Sequence, residues 1–155
     1  MMPDPQFSPE VKQKLDALKS KIDDFTAFAK KEIKHSIAIE LLPPERIPAE
    51  ELKKLSQTEK DRIKDEVHLL VVVDLFNIKN PYAELEKTIK KAQEKAKSLD
   101  PKLKILVRDM LSIKEDCYDA KYETLQDISQ GAPIYDPKDF INALRISEVH
   151  KTLVL

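Results

Sequence analysis

Glycine is almost missing from this chain. Its 155 residues include one, Gly131, where ordinary usage of about 7% would give roughly ten. Loops that cradle phosphate need glycine so that the backbone can approach the anion. A Walker loop and a Rossmann fingerprint are therefore excluded. Cysteine is equally scarce: Cys117 alone allows no intramolecular disulfide and no multi-cysteine zinc site, and it suits a reducing, cytoplasmic setting. There is no tryptophan and only 6% of residues are aromatic, which argues against a platform for stacking single-stranded bases. No apolar run approaches the roughly 20 residues that a membrane span needs, so no membrane partner is expected. The opening MMPDPQFSPE lacks the basic start and apolar stretch of a signal peptide. An excess of either charge is missing too. The 27 basic and 28 acidic residues leave a net charge of −1, which exerts no overall pull toward nucleic acid. A local basic patch is left open, and nucleic-acid contact with it.

What is present suits one domain with a real core: 41% hydrophobic and 35% charged residues, punctuated by ten prolines. Residues 8–34 predict a long amphipathic helix, with Ser8 as N-cap and Pro9 at the first helical position. Val11, Leu15, Leu18, Ile22, Phe25 and Ala29 form its apolar stripe. That stripe serves either packing on the domain or contact with a partner helix. HSIAIELL (35–42) reads as a strand ended by Pro43-Pro44, 48–64 as a charged helix opened by Pro48, and 66–74 as a second strand. Asn80 and Pro81 start the next helix, whose apolar face is Tyr82, Leu85, Ile89, Ala92, Ala96 and Leu99; Asp100-Pro101 ends it. LKILVR (103–108) is a third strand, and a short turn is expected near Ser112. A helix near 119–130 is expected to end on Gly131 as a left-handed C′ residue. APIY is then a short extended piece. Asp136 and Pro137 open a last helix with Phe140, Ile141, Leu144 and Ile146 as its apolar residues. Strands alternating with helices predict a layered sheet. The helix between the second and third strands suits a crossover joining parallel strands.

The chain's most apolar stretch is DEVHLLVVVDL (65–75). On a strand, Glu66 and His68 share a face, so they are candidate metal ligands or part of a nucleotide site; ordinarily they would be partly exposed polar residues at the strand's entrance. Asp74 shares that face but lies roughly 26 Å from Glu66, too far for one metal site. His35 and His150 stand alone near element ends, as surface or capping residues. No motif supports Cys117 and His68 as a nucleophile and base. The lysine-rich KKEIKH (30–35) and KTIKKAQEKAK (87–97) read as solvated helix faces.

Three segments, in order, resemble the DNA polymerase β-like nucleotidyltransferase fold in its minimal archaeal and bacterial form. DEVHLLVVVD (65–74) is similar to the family's second strand, SLDPKLKILV (98–107) to the following helix end and third strand, and QGAPIYD (130–136) to its dGxPiYD segment. The resemblance covers roughly residues 35–150. It implies an α/β (α+β) fold: a small mixed sheet of three to four strands with helices packed on it, preceded by a long N-terminal helix. Residues 1–34 would be that helix and 35–155 the nucleotidyltransferase-like domain with its C-terminal helix, together one compact unit.

The resemblance also implies a chemistry. In the family, a Gly-Ser turn after the first strand holds the triphosphate, and an Asp-x-Asp on the second strand, often helped by a third carboxylate, binds divalent metal. Mg²⁺ prefers oxygen ligands, and two metals stabilise the attacking and leaving oxygens of an in-line displacement. This sequence departs from that pattern at each station. The first strand ends in IELLPPER, Glu66 and His68 stand at the Asp-x-Asp positions, and Lys104 lies where the third carboxylate is expected. Imidazole suits Zn²⁺ better than Mg²⁺. The expectation is thus a catalytically degenerate nucleotidyltransferase-like domain with a structural or interaction role. Its partner would be a protein or an adjoining domain, such as an active nucleotidyltransferase, and the apolar ending KTLVL fits a chain that continues as well as a segment that docks at home. One alternative is a divergent enzyme moving NMP from NTP to a protein or nucleic-acid hydroxyl, with Mg²⁺ and NTP as cofactors and Glu66 and His68 as ligands. Another is an antitoxin-like interaction module using helix 8–34.

Overall fold

The computed structural model describes residues 9–43 and 49–146. Its elements run α1 (Pro9–Glu32), β1 (Ser36–Leu41), α2 (Ala49–Leu52), α3 (Gln57–Asp65), β2 (Val67–Val73), α4 (Pro81–Leu99), β3 (Leu103–Asp109), α5 (Met110–Tyr118), α6 (Tyr122–Gln130), β4 (Ala132–Tyr135) and α7 (Phe140–Leu144). The four strands form one mixed sheet in the order β3-β2-β1-β4. As the crossover helix requires, β2 and β3 are parallel, while β1 runs antiparallel to both β2 and β4. The expected fold class, a mixed sheet of up to four strands behind a long first helix, is what the chain adopts.

Helices cover both faces of the sheet. On one face, Leu18, Ile22, Phe25 and Ala29 of α1 and Ala92 and Ala96 of α4 pack on Ile39, Val67, Leu69, Val71, Ile105 and Val107. On the other, Ile113 and Cys117 of α5, Leu125 and Ile128 of α6 and Ile141 and Leu144 of α7 pack on Ala38, Leu70 and Val72. β2 is thus central and buried from both sides, which is why its sequence is a continuous apolar run. β3 is an edge strand covered on one side only: Leu103, Ile105 and Val107 are buried, while Lys104 and Leu106 are exposed. Its alternating pattern records this half-coverage.

The α1 stripe is therefore core. Phe25 and Ala29 are fully buried, so this stripe is not available to a partner helix; Ser8 and the side chains of Val11 and Leu15 lie outside what is described. Within the expected helix at 48–64 the chain breaks into α2 and α3. Ser56 interrupts it with a capping box, accepting from the Glu59 N–H while the Glu59 carboxylate accepts from its own N–H. The expected turn at Ser112 lies inside α5, which begins straight after β3, and the helix expected at 119–130 begins at Tyr122. Tyr82, placed on α4's apolar face by spacing, is 75% exposed; it sits in the helix's first turn. Ile146 likewise points to solvent. The last helix starts three residues late. Pro137 lies in a turn, and Asp136 still caps the helix by accepting from the Phe140 and Ile141 N–H groups at 2.7 and 2.9 Å.

These contacts predict an asymmetry between two aromatic residues. Phe25→Ala lowers unfolding stability by about 3–5 kcal/mol, whereas Tyr82→Ala changes it by no more than about 0.5 kcal/mol; urea unfolding midpoints of the two variants measure the difference.

Candidate functional site

The mouth of β2 brings the two expected residues together. Glu66 is the C-cap of α3 in an extended conformation, so it enters the strand two residues before His68 and on the same side. The Glu66 Oε2 and the His68 Nε2 lie 3.5 Å apart, with the side chains 16% and 30% exposed. The parallel register sets His68 directly beside Lys104 of β3. Just past β1, the Leu42 N–H donates to the His68 carbonyl at 2.9 Å. One carboxylate, one imidazole and one ammonium-bearing chain therefore meet at this end of the sheet. Among the described residues no three His, Cys, Asp or Glu side chains gather closely enough to share a metal ion. Asp74 closes the far end of β2. Its carboxylate accepts from the Phe76 N–H at 3.0 Å and its N–H donates to the His35 carbonyl. Cys117 is buried in the α5–α7 core, and His150 lies outside the described residues.

A second constellation escaped the sequence reading. Glu40, in the middle of the sheet, is fully buried, and neither carboxyl oxygen has a hydrogen-bond partner among the described residues. Gly131 lies against it. A Cβ at that position would collide with the Glu40 carboxyl and lie 2.7 Å from the Asp127 carbonyl. The expected left-handed C′ geometry is not adopted: Gly131 has φ −72° and ψ 166°, an extended conformation open to any residue. The glycine is needed for space, not for backbone freedom. Arg145 closes the group. Its Nε donates to the Ile128 carbonyl at 2.6 Å and its Nη2 donates to the Gly131 carbonyl, while Nη2 stands 4.0 Å from the Glu40 Oε1. Burial pushes the Glu40 pKa up to about 9, with Asp127 and Asp136 adding to the rise and Arg145 opposing it. A polar residue inside the apolar SIAIEL strand, together with the only glycine, were the available signals. Their meeting across 91 residues of chain was not readable.

A third cluster ties β3 to α5 and α6. Arg108 donates to the Asp116 Oδ2 at 2.6 Å, to Ser112 at 2.8 Å and to Thr124 at 3.0 Å, and Lys121 adds a 3.3 Å ion pair to Asp116. Arg108 is the main cause holding the Asp116 carboxyl below the usual range. Every member is satisfied by another, so the cluster braces the helices.

Glu40 makes stability depend on pH with a defined sign. Below its ordinary value of 4.5 the carboxyl is protonated in folded and unfolded chains alike; between 4.5 and about 9 only the unfolded chain ionises. This contribution to stability therefore falls as pH rises through that window and is level above it. Glu40→Gln removes the slope, so it stabilises by about 3 kcal/mol near neutral pH and by little near the lower limit. Urea midpoints taken across the window test this, and equal slopes in parent and variant would refute it. Gly131→Ala costs about 2 kcal/mol or more. Adding Glu40→Ala recovers part of that loss, the remainder being the Asp127 carbonyl contact.

No protein-family model, no curated protein and no solved structure matches this chain.

Proposed function

We propose that the chain is a nucleotidyltransferase-like domain that has lost catalysis and acts through binding, to a protein partner or an adjoining domain. The observation that carries this reading is the register of His68 beside Lys104. A transfer centre of the family's kind needs acidic oxygens at these stations, because hard divalent cations offset the charge that develops on the attacking and leaving oxygens. Here an imidazole occupies one station and a lysine the next. The lysine repels a divalent cation, and the one carboxylate, Glu66, is turned toward His68 at 3.5 Å. With Gly131 held against Glu40, no glycine remains to form a phosphate-cradling turn after β1. The open side of β3, with Lys104 and Leu106 exposed, gives a binding role a surface on the sheet itself.

The close approach of Glu66 and His68 favours one second reading. Two donors on one strand face could ligate a softer divalent ion in a divergent enzyme that moves NMP from NTP to a protein or nucleic-acid hydroxyl. Calorimetry with ATP, GTP and CTP, each with Mg²⁺, Mn²⁺ or Zn²⁺, separates the two. The binding reading expects no heat that depends on Glu66 or His68. Saturable heat that disappears in both Glu66→Ala and His68→Ala would overturn it in favour of the enzyme.

A further inference from the structure

At the end of the sheet opposite Glu66 and His68, a cleft of about 800 Å³ opens between α5, α7 and the ends of β1 and β2. Its size falls within the range of sites for small organic ligands, roughly 300–1,000 Å³. The floor is apolar: Ile37, Phe140 and Leu144 are buried there, with Met110 partly so. The lip is acidic. Asp74, Glu115, Asp119 and Asp139 line it, against Lys114 and Lys138. None of the four carboxylates forms an ion pair among the described residues, whereas nearby Asp116 is answered by both Arg108 and Lys121.

Two further features point the same way. α5 ends at the lip, and its last turn carries no basic residue. The negative end of the helix dipole therefore lies on the same side as Glu115 and Asp119, while Arg108 and Lys121 engage Asp116 of the same turn. Tyr118, the last residue of α5, also lines the cleft and is 83% exposed. It shares the cleft lining with Glu115 and Asp119, and an aromatic face next to acidic groups is a surface that attracts cations. Of the two lysines, Lys114 already lies over the Phe140 ring, 6.0 Å from its centroid.

We propose that this cleft binds a small amphipathic cation: an apolar or aromatic body seated on the floor, with an ammonium or guanidinium group held at the lip by Glu115, Asp119 and the Tyr118 ring. The apolar floor supplies affinity through burial, and the acidic lip selects the sign of charge. The site stands apart from the mouth of β2 and holds whether or not that mouth retains chemistry.

The test uses two probes with the same body and opposite charge, naphthylethylammonium and naphthylacetate, each titrated into the intact protein with amide NMR shifts and calorimetry as readouts. The expected result is saturable binding of the cation that moves amides of α5 and α7, with the anion bound about tenfold more weakly or not at all. The double variant Glu115→Gln/Asp119→Asn changes only exposed side chains. It should weaken the cation by about fivefold and leave the anion no weaker. Equal binding of both probes, absence of saturation with the cation, shifts confined to other elements, or an unchanged affinity in the double variant would each overturn the proposal. A linear peptide, acetyl-Phe-Lys-Phe-amide, binding more tightly than the free amine would overturn its small-molecule part.

Discussion

A carboxyl group sealed inside the sheet, with a glycine and an arginine arranged around it, is the constraint on which the second face of this protein depends. Glu40 cannot reach water, so it remains protonated up to about pH 9. It also leaves no room for a side chain where α6 passes into β4. Arg145 spans the same junction by donating to carbonyls at the end of α6 and at Gly131. Three elements far apart in sequence thus meet on one buried acid. Replacing such a group with a matched apolar or neutral residue is often stabilising, so Glu40 costs stability near neutral pH.

The rest of the core follows from β2. A strand buried on both faces favours apolar residues, and Leu69 to Val73 are apolar without interruption. The polar residues are consequently displaced to the strand's two ends, Glu66 and His68 at one and Asp74 at the other. Any chemistry that β2 supports therefore lies at its two ends. One margin carries a mixed imidazole, carboxylate and lysine group poorly suited to hard cations. The other borders a roomy cleft with an apolar floor and an acidic lip.

Much of this is legible in the sequence, for identifiable reasons. The spacing of Leu18, Ile22, Phe25 and Ala29 can bury only as one helix stripe, and alternation at Glu66 and His68 forces them onto one strand face. The Asn80-Pro81 start and the Asp136 cap are local chemistry acting over a few residues. Where local reasoning erred, a non-local contact or a second local signal had intervened. Gly131 looked like a left-handed cap because glycine is the usual choice there, but a side chain from β1 had set the requirement. Tyr82 had the right spacing and no neighbour to cover it. The charged segment 48–64 has helical propensity throughout, yet Ser56 offers its backbone a better partner at the cap than in a helix interior.

The sequence by itself determined the alternation of helices with strands and so a layered sheet, the apolar run of β2 and the absence of a glycine loop for phosphate, because each depends on periodicity or on a count. Tertiary structure alone decided that His68 lies beside Lys104, that Glu40 shares its space with Gly131 and Arg145, and that Asp74, Tyr118 and Phe140 border one cleft. Those juxtapositions depend on strand order and register, which bring together residues tens of positions apart. No pattern confined to one segment specifies them.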